Sequence, residues 1–128
     1  MWWIVGGLLG ALGVGLGAFG AHGLEGPLSD VPDGPHLIEI WGTASKYHLI
    51  HALAVLAVAI HPRKPAVVGA LFTAGILLFS GSLYLMPLLT LAVGGSWSWL
   101  GAITPLGGLA FISGWVALAV WPRTPRPA

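Results

Sequence analysis

Two histidines in the second apolar segment are the side chains of this chain best suited to chemistry. Thr43, Tyr47 and His51 recur at every fourth position and therefore share one face of a helix. His48 lies about 60° from His51 on the same helical wheel, so both imidazoles project from one side of the segment. A neutral imidazole donates one hydrogen bond and accepts one, and two histidines three residues apart can also reach one metal ion. The pattern leaves two hypotheses: hydrogen bonding between helices, and metal or haem ligation.

The other chemistry-bearing residues do not extend this pair into a catalytic or metal-binding set. The chain has no cysteine, which excludes disulfides, iron–sulfur clusters and thiol catalysis. Three of its four acids, Glu25, Asp30 and Asp33, fall between the first two apolar segments, and the fourth, Glu39, lies at the beginning of the second. No carboxylate therefore lies at the depth of the histidines, and the acidic loop matches no cation-binding motif. We predict no catalytic residue, no metal and no cofactor, and a protein that is not an enzyme.

Four apolar segments contain these residues, and the length of the segments indicates transmembrane helices. They cover residues of about 2–21, 36–60, 66–91 and 104–121, separated by Pro- and Gly-rich breaks. About 20 helical residues cross a hydrocarbon core of about 30 Å. Only 7% of the chain is charged against 56% hydrophobic, whereas about a quarter of a soluble domain is charged. We predict an all-α integral membrane protein in which a single domain, residues 1–128, forms a four-transmembrane-helix bundle.

The basic residues predict the orientation of this bundle. Four of the five follow the second and fourth segments, at Arg63, Lys64, Arg123 and Arg126. Cytoplasmic loops of membrane proteins carry the excess of such residues, which indicates an N-in/C-in topology with the acidic loop outside. We expect the four bases to contact lipid headgroups of a bacterial inner (cytoplasmic) membrane, and we expect no nucleic-acid partner. Lys46 is the exception: it lies inside the second segment and is expected to snorkel to the outer headgroups.

Counting depth along the helices predicts a polar layer in the membrane. We assign Trp41, Trp97 and Trp99 to the outer interface. His51 follows Trp41 by ten residues and therefore lies at a depth of about 15 Å. The same count on the third and fourth helices reaches serines. The predicted layer consists of Tyr47, His48, His51, Ser80, Ser82 and Ser113. We predict that His51 faces the bundle interior and hydrogen-bonds at least one of the serine hydroxyls.

Glycines form a seam along the first helix. They lie at Gly6, Gly10, Gly13, Gly17 and Gly20, with an average spacing of 3.5 residues. Small residues let helix backbones approach closely in lipid, and a 3.5 period keeps the seam against one neighbour along a left-handed crossing. The seam therefore packs either against the second or fourth helix of the same chain, or against a second copy or another protein.

Four ordered motifs resemble a known family of small membrane proteins. They are Gly17–Gly23 (GAFGAHG), Thr43–Ala54 (TAxxYxxxHALA), Phe79–Tyr84 (FSGSLY), and Thr104–Gly108 (TPxGG) followed by Gly114-Trp115, where x is any residue. Together they are similar to the domain-of-unknown-function 423 family, the transmembrane protein 256-like small membrane proteins. The resemblance implies a four-helix integral membrane protein and no established activity. The family pattern carries Gln where His48 stands, which weakens the hypothesis of a paired-histidine ligand.

Small size, short loops and the glycine seam favour one function over its alternative. The favoured function is a non-enzymatic structural or accessory subunit, which packs against itself as a homo-oligomer or against a larger membrane complex. The alternative is a small transporter or channel that uses the His/Ser/Tyr layer as a polar path. A water-accessible cavity in this layer would favour transport, whereas closure of the layer by hydrogen bonds would favour packing.

Overall fold

The computed structural model describes residues 1–63 and 65–121, and every regular element in them is helical. The helices are α1 (Trp2–Gly23), α2 (Glu25–Leu28), α3 (Gly34–Ile60), α4 (Ala66–Gly75), α5 (Gly81–Val93) and α6 (Thr104–Val120). A π-helical segment, Ile76–Ser80, joins α4 to α5 without a break, and a 3-10 helix, Ser98–Ala102, precedes α6. Of the sequence-predicted residues, Lys64, Arg123 and Arg126 lie outside the described part of the chain.

Four of these helical stretches are long and apolar enough to cross a membrane. They are Trp2–Gly23, Gly34–Ile60, Ala66–Val93 and Ser98–Val120, with mean hydropathies between 1.4 and 2.0. The predicted all-helical bundle of four apolar helices is confirmed.

Prolines shape the ends of the helices. α3 begins at Gly34-Pro35, where proline suits the first turn because its missing N–H has no intrahelical partner there. The preceding Asp33 has a left-handed backbone with φ 61°. α5 contains Pro87 within the helix and continues to Val93.

α3 is the central helix of the bundle. Half of its membrane-spanning window is buried inside the protein, against 17% for the first and last spans. α1 packs along α3, whereas α6 packs along α4 and the π-helical segment. α3 also contacts α4 and α5. α1 and α6 are therefore the two outer helices, and each presents a wide apolar face to the outside.

Phenylalanines that fit against glycines hold α6 to the third span. Phe72 lies against Gly114, where an added Cβ would come within 2.7 Å of the ring. Phe111 lies in the same way against Gly75, and the backbone of Phe79 lies directly against Gly107. Each side of this interface contributes both aromatic rings and glycines to the packing. Such close approach provides the packing energy of helices in lipid.

Trp41 belongs to the core and is not the interfacial anchor that we expected. Its side chain is only 2% exposed, and its indole N–H donates to the Leu16 carbonyl of α1 over 2.7 Å. Gly20 makes room for this ring, since a Cβ there would collide with it. Leu24, Leu28 and Tyr84 complete the surrounding cluster. The indole thus fixes the register between α1 and α3.

Candidate functional site

Both ring nitrogens of His51 have partners within the membrane-spanning helices. Nδ1 lies 2.7 Å from the carbonyl oxygen of Tyr47, one turn earlier on α3. The indole N–H of Trp115, on α6, donates to Nε2 over 3.0 Å. A carbonyl can only accept and an indole can only donate, so Nδ1 carries the proton and Nε2 accepts. His51 is held as one neutral tautomer that links α3 to α6.

Aromatic rings surround the same imidazole. Phe111 stacks on it with ring centroids 3.5 Å apart and planes 11° apart. Phe72, Trp115 and Tyr47 lie around it, with centroids 5.7 to 6.0 Å away. His51 itself is only 4% exposed. These rings bury most of the imidazole, and they are contributed by three of the four spans.

The predicted hydrogen bond between His51 and a serine is wrong. Ser80 donates to the Ala44 carbonyl over 2.9 Å. Ser82 bonds its own helix at the Phe79 carbonyl, and its hydroxyl lies 2.8 Å from that of Thr104. Ser113 is exposed on the outer side of α6 and takes no part in the cluster. Depth alone had placed these serines beside His51, but they lie on other faces of their helices.

His48 belongs to a second cluster, on the side of α3 that faces α1 and α5. Its Nδ1 lies 3.4 Å from the Tyr84 hydroxyl of α5, and its ring lies against Gly13 of α1. Nε2 is buried and has no hydrogen-bond partner among the described residues. Since His48 faces α1 and α5 while His51 faces α6, the two imidazoles do not form one ligand pair. Nowhere in residues 1–63 and 65–121 do three His, Asp or Glu side chains converge.

A cleft opens on the surface between α3 and α6, next to His51. We call it the α3–α6 cleft; its volume is about 480 Å³. It is lined by Lys46, Tyr47, His51, Phe79, Phe111 and Trp115, among others. Tyr47 covers one side with its ring packed on Phe79 at a centroid distance of 4.6 Å, and its side chain is 40% exposed. Tyr47 therefore lies at the edge of the bundle and not inside a polar layer.

The glycine seam of α1 lies against α3. A Cβ at Gly6 or Gly13 would come within 2.8 Å of Leu56 or Leu49, and one at Gly17 within 2.9 Å of the Ser45 hydroxyl. Gly10 is the exception, with open space beside it. The structure therefore places this seam in an intramolecular interface, which was the first of the two hypotheses.

Of the predicted headgroup bases, the structure describes only Arg63. Its backbone N–H donates to His61 Nδ1 over 3.2 Å at the turn that follows α3. Lys64, Arg123 and Arg126 are outside the described residues, so the predicted basic patch stays a prediction.

Sequence reasoning missed three residues that the structure brings into these clusters. Trp115 bonds His51, Tyr84 approaches His48, and Thr104 pairs with Ser82. The sequence offers a reason to consider Trp115, because it is the tryptophan farthest from either predicted interface and a buried indole N–H needs a hydrogen-bond partner. Thr104 starts α6 without capping it, since its hydroxyl is used by Ser82.

Comparisons with known proteins agree with this architecture. The model of the family "Protein of unknown function (DUF423)" matches residues 16–108. The UPF0382 membrane protein YwdK of Bacillus subtilis is 43% identical over 91% of this chain and 91% of its own. The UPF0382 membrane protein C1782.12c of Schizosaccharomyces pombe is 43% identical over 92% of this chain and 98% of its own. No solved structure matches the chain. The chain therefore belongs to the DUF423 family of membrane proteins of unknown function.

Proposed function

We propose that this protein is a non-enzymatic structural or accessory subunit, which packs in the membrane against a second copy or against a larger complex. The observation that carries the proposal is the use of the polar side chains inside the bundle. His51, Ser80 and Trp41 each bond a group on another helix. Such bonds hold helices in register and are worth about 0.6–2 kcal/mol each.

The transport alternative has less support from the same geometry. A polar path needs side chains that follow one another across the membrane, but the predicted layer is divided. His51 is enclosed by rings on the α6 side, and His48 faces α1 and α5. Ser113 points outward. The divided layer is better suited to joining helices than to conducting a solute.

The outer helices provide the surfaces on which such a subunit would assemble. α1 and α6 bury only a small part of their spans inside the protein. Their large outward side chains include Leu8 and Leu12 on α1, and Leu109 and Val116 on α6. In a membrane these faces contact either lipid or another transmembrane helix.

We further propose the N-in/C-in orientation and, since bacterial relatives are among the similar proteins, a bacterial inner membrane. Arg63 and the three bases outside the described residues support the orientation by the positive-inside rule. The membrane lipids are then partners of this basic side.

Cross-linking in native membranes tests the proposed assembly. The protein, tagged at its chromosomal locus, is cross-linked, extracted in mild detergent, and analysed for mass and stoichiometry. We expect a defined species larger than the monomer, with a fixed ratio between its components. Leu12→Trp on the outward face of α1 should reduce that species, whereas Ser29→Ala in the exposed loop should not. A monomer at all concentrations, together with solute flux in proteoliposomes, would contradict the proposal and favour transport.

A further inference from the structure

Lys46 is a charged side chain deep in a membrane-spanning helix. It is exposed on α3, twelve residues after the helix begins at Gly34 and fourteen before it ends at Ile60. Across residues 1–63 and 65–121, no ion pair involves it, and all four acids of the chain lie within residues 25–39. An ionisable group within a membrane span is costly unless a partner neutralises it, and it therefore indicates a functional site.

The α3–α6 cleft begins at this lysine and continues toward the other side of the membrane. Tyr47 contacts Phe111 and, one turn farther along each helix, His51 contacts Trp115. The two helices therefore run in the same direction, with Lys46 at one end of the cleft and Trp115 at the other. The cleft follows the direction in which lipid chains lie.

The chemistry of the cleft changes along its length. One end carries the ammonium group of Lys46, whereas the walls beyond it are the rings of Tyr47, Phe111 and Trp115. His51 offers no free polar atom there, because Tyr47 and Trp115 occupy both of its nitrogens. The volume of about 480 Å³ is in the range of small-molecule sites, about 300–1,000 Å³. A ligand that fits has an anionic head and a long apolar chain.

We propose that the α3–α6 cleft binds one acidic glycerophospholipid, whose phosphate pairs with Lys46 while an acyl chain lies along Tyr47, Phe111 and Trp115. The side chain of lysine can extend toward the headgroup level while its stem stays in the apolar region. An acidic headgroup is favoured over a zwitterionic one, because it neutralises Lys46 without placing a second cation beside it. This site is independent of the proposed accessory role and of the basic side of the protein.

Native mass spectrometry of the detergent-purified full chain tests the proposal. The protein is mixed with phosphatidylglycerol, with phosphatidylcholine of the same acyl chains, or with oleate. We expect one phosphatidylglycerol retained per protein in preference to the other two. Lys46→Gln should weaken that retention about fivefold, whereas Asp30→Asn, which removes a charge in the exposed loop before α3, should not change it.

A second variant distinguishes lipid binding in the cleft from electrostatic attraction to Lys46 alone. A Cβ at Gly108 would be 3.9 Å from the Phe79 ring, an ordinary contact, so Gly108→Leu places its side chain in the cleft with Lys46 intact. We expect this variant to keep its helical content and lose the retained lipid, while Gly108→Ala keeps it. Wild-type retention in Gly108→Leu, equal binding of both phospholipids, preferred binding of oleate, or no retained lipid would each overturn the proposal.

Discussion

At the scale of residues, His51 is a link between two helices. Nδ1 donates to the Tyr47 carbonyl and Nε2 accepts from Trp115, so the imidazole has no free position for a ligand or a transferred proton. The stacked ring of Phe111 covers one face of the imidazole. The residue that the sequence singled out thus joins α3 to α6 through its two ring nitrogens.

Removal of the indole donor should destabilise the bundle. Trp115→Phe keeps a large ring but leaves the buried Nε2 of His51 without a partner, which costs about 1–3 kcal/mol. The free energy of unfolding, measured by SDS titration in mixed micelles, should fall by this amount. Trp99→Phe, which changes an exposed indole in the 3-10 helix, is the matched control.

The pair His51 and Trp115 should also show coupling. His51→Leu removes the acceptor of the hydrogen bond. Trp115→Phe should therefore lower the free energy of unfolding less in the His51→Leu background than in the wild type. If the two substitutions are additive within about 0.3–0.5 kcal/mol, the hydrogen bond contributes nothing.

At the scale of elements, glycines decide where helices can approach. Gly107 and Gly108 are neighbours on α6, yet their surroundings differ. A Cβ at Gly107 would collide with the backbone of Phe79, which cannot move aside as a side chain could. A Cβ at Gly108 meets nothing closer than 3.9 Å.

These two glycines provide a matched pair of variants. Gly107→Ala should lower the free energy of unfolding by about 1–3 kcal/mol through overpacking. Gly108→Ala should leave it unchanged or raise it slightly, because alanine favours helix more than glycine does. Equal effects of the two, measured by the same SDS titration, would show that α6 does not pack on Phe79 as described.

The sequence predicted the four helices well because their lengths and breakers follow from hydropathy and proline placement. It predicted the serine contacts poorly, because counting depth gives the level of a side chain but not the direction in which it points. The π-helical segment adds to the error: its wider turn rotates Ser80 relative to an ideal α-helix, and Ser80 bonds Ala44. On α6, Gly107, Phe111 and Gly114 occupy the buried face, so Ser113 turns outward.

At the scale of the whole molecule, the termini should lie on the cytoplasmic side. If the four candidate spans of the described residues all cross the membrane, both termini lie on one side, and the bases at residues 63, 64, 123 and 126 favour the inner side. A reporter enzyme that works only in the cytoplasm should be active when it is fused after Ala128. A reporter enzyme that works only outside the cytoplasm should be active when it is fused after Ser29, in the acidic loop. The reverse result for both fusions would invert the proposed orientation.

Closure of the polar interior is the claim on which the proposed structural role depends. The chain has no cysteine, so single thiols can report water access without background. Ser80→Cys places a thiol at a fully buried position on the π-helical segment, and Ser29→Cys places one in the exposed loop. Each is inserted in nanodiscs, which leave both membrane faces accessible, and treated with a water-soluble maleimide. We expect rapid labelling at residue 29 and none at residue 80, whereas comparable labelling at both would reveal a water path and contradict a closed interior.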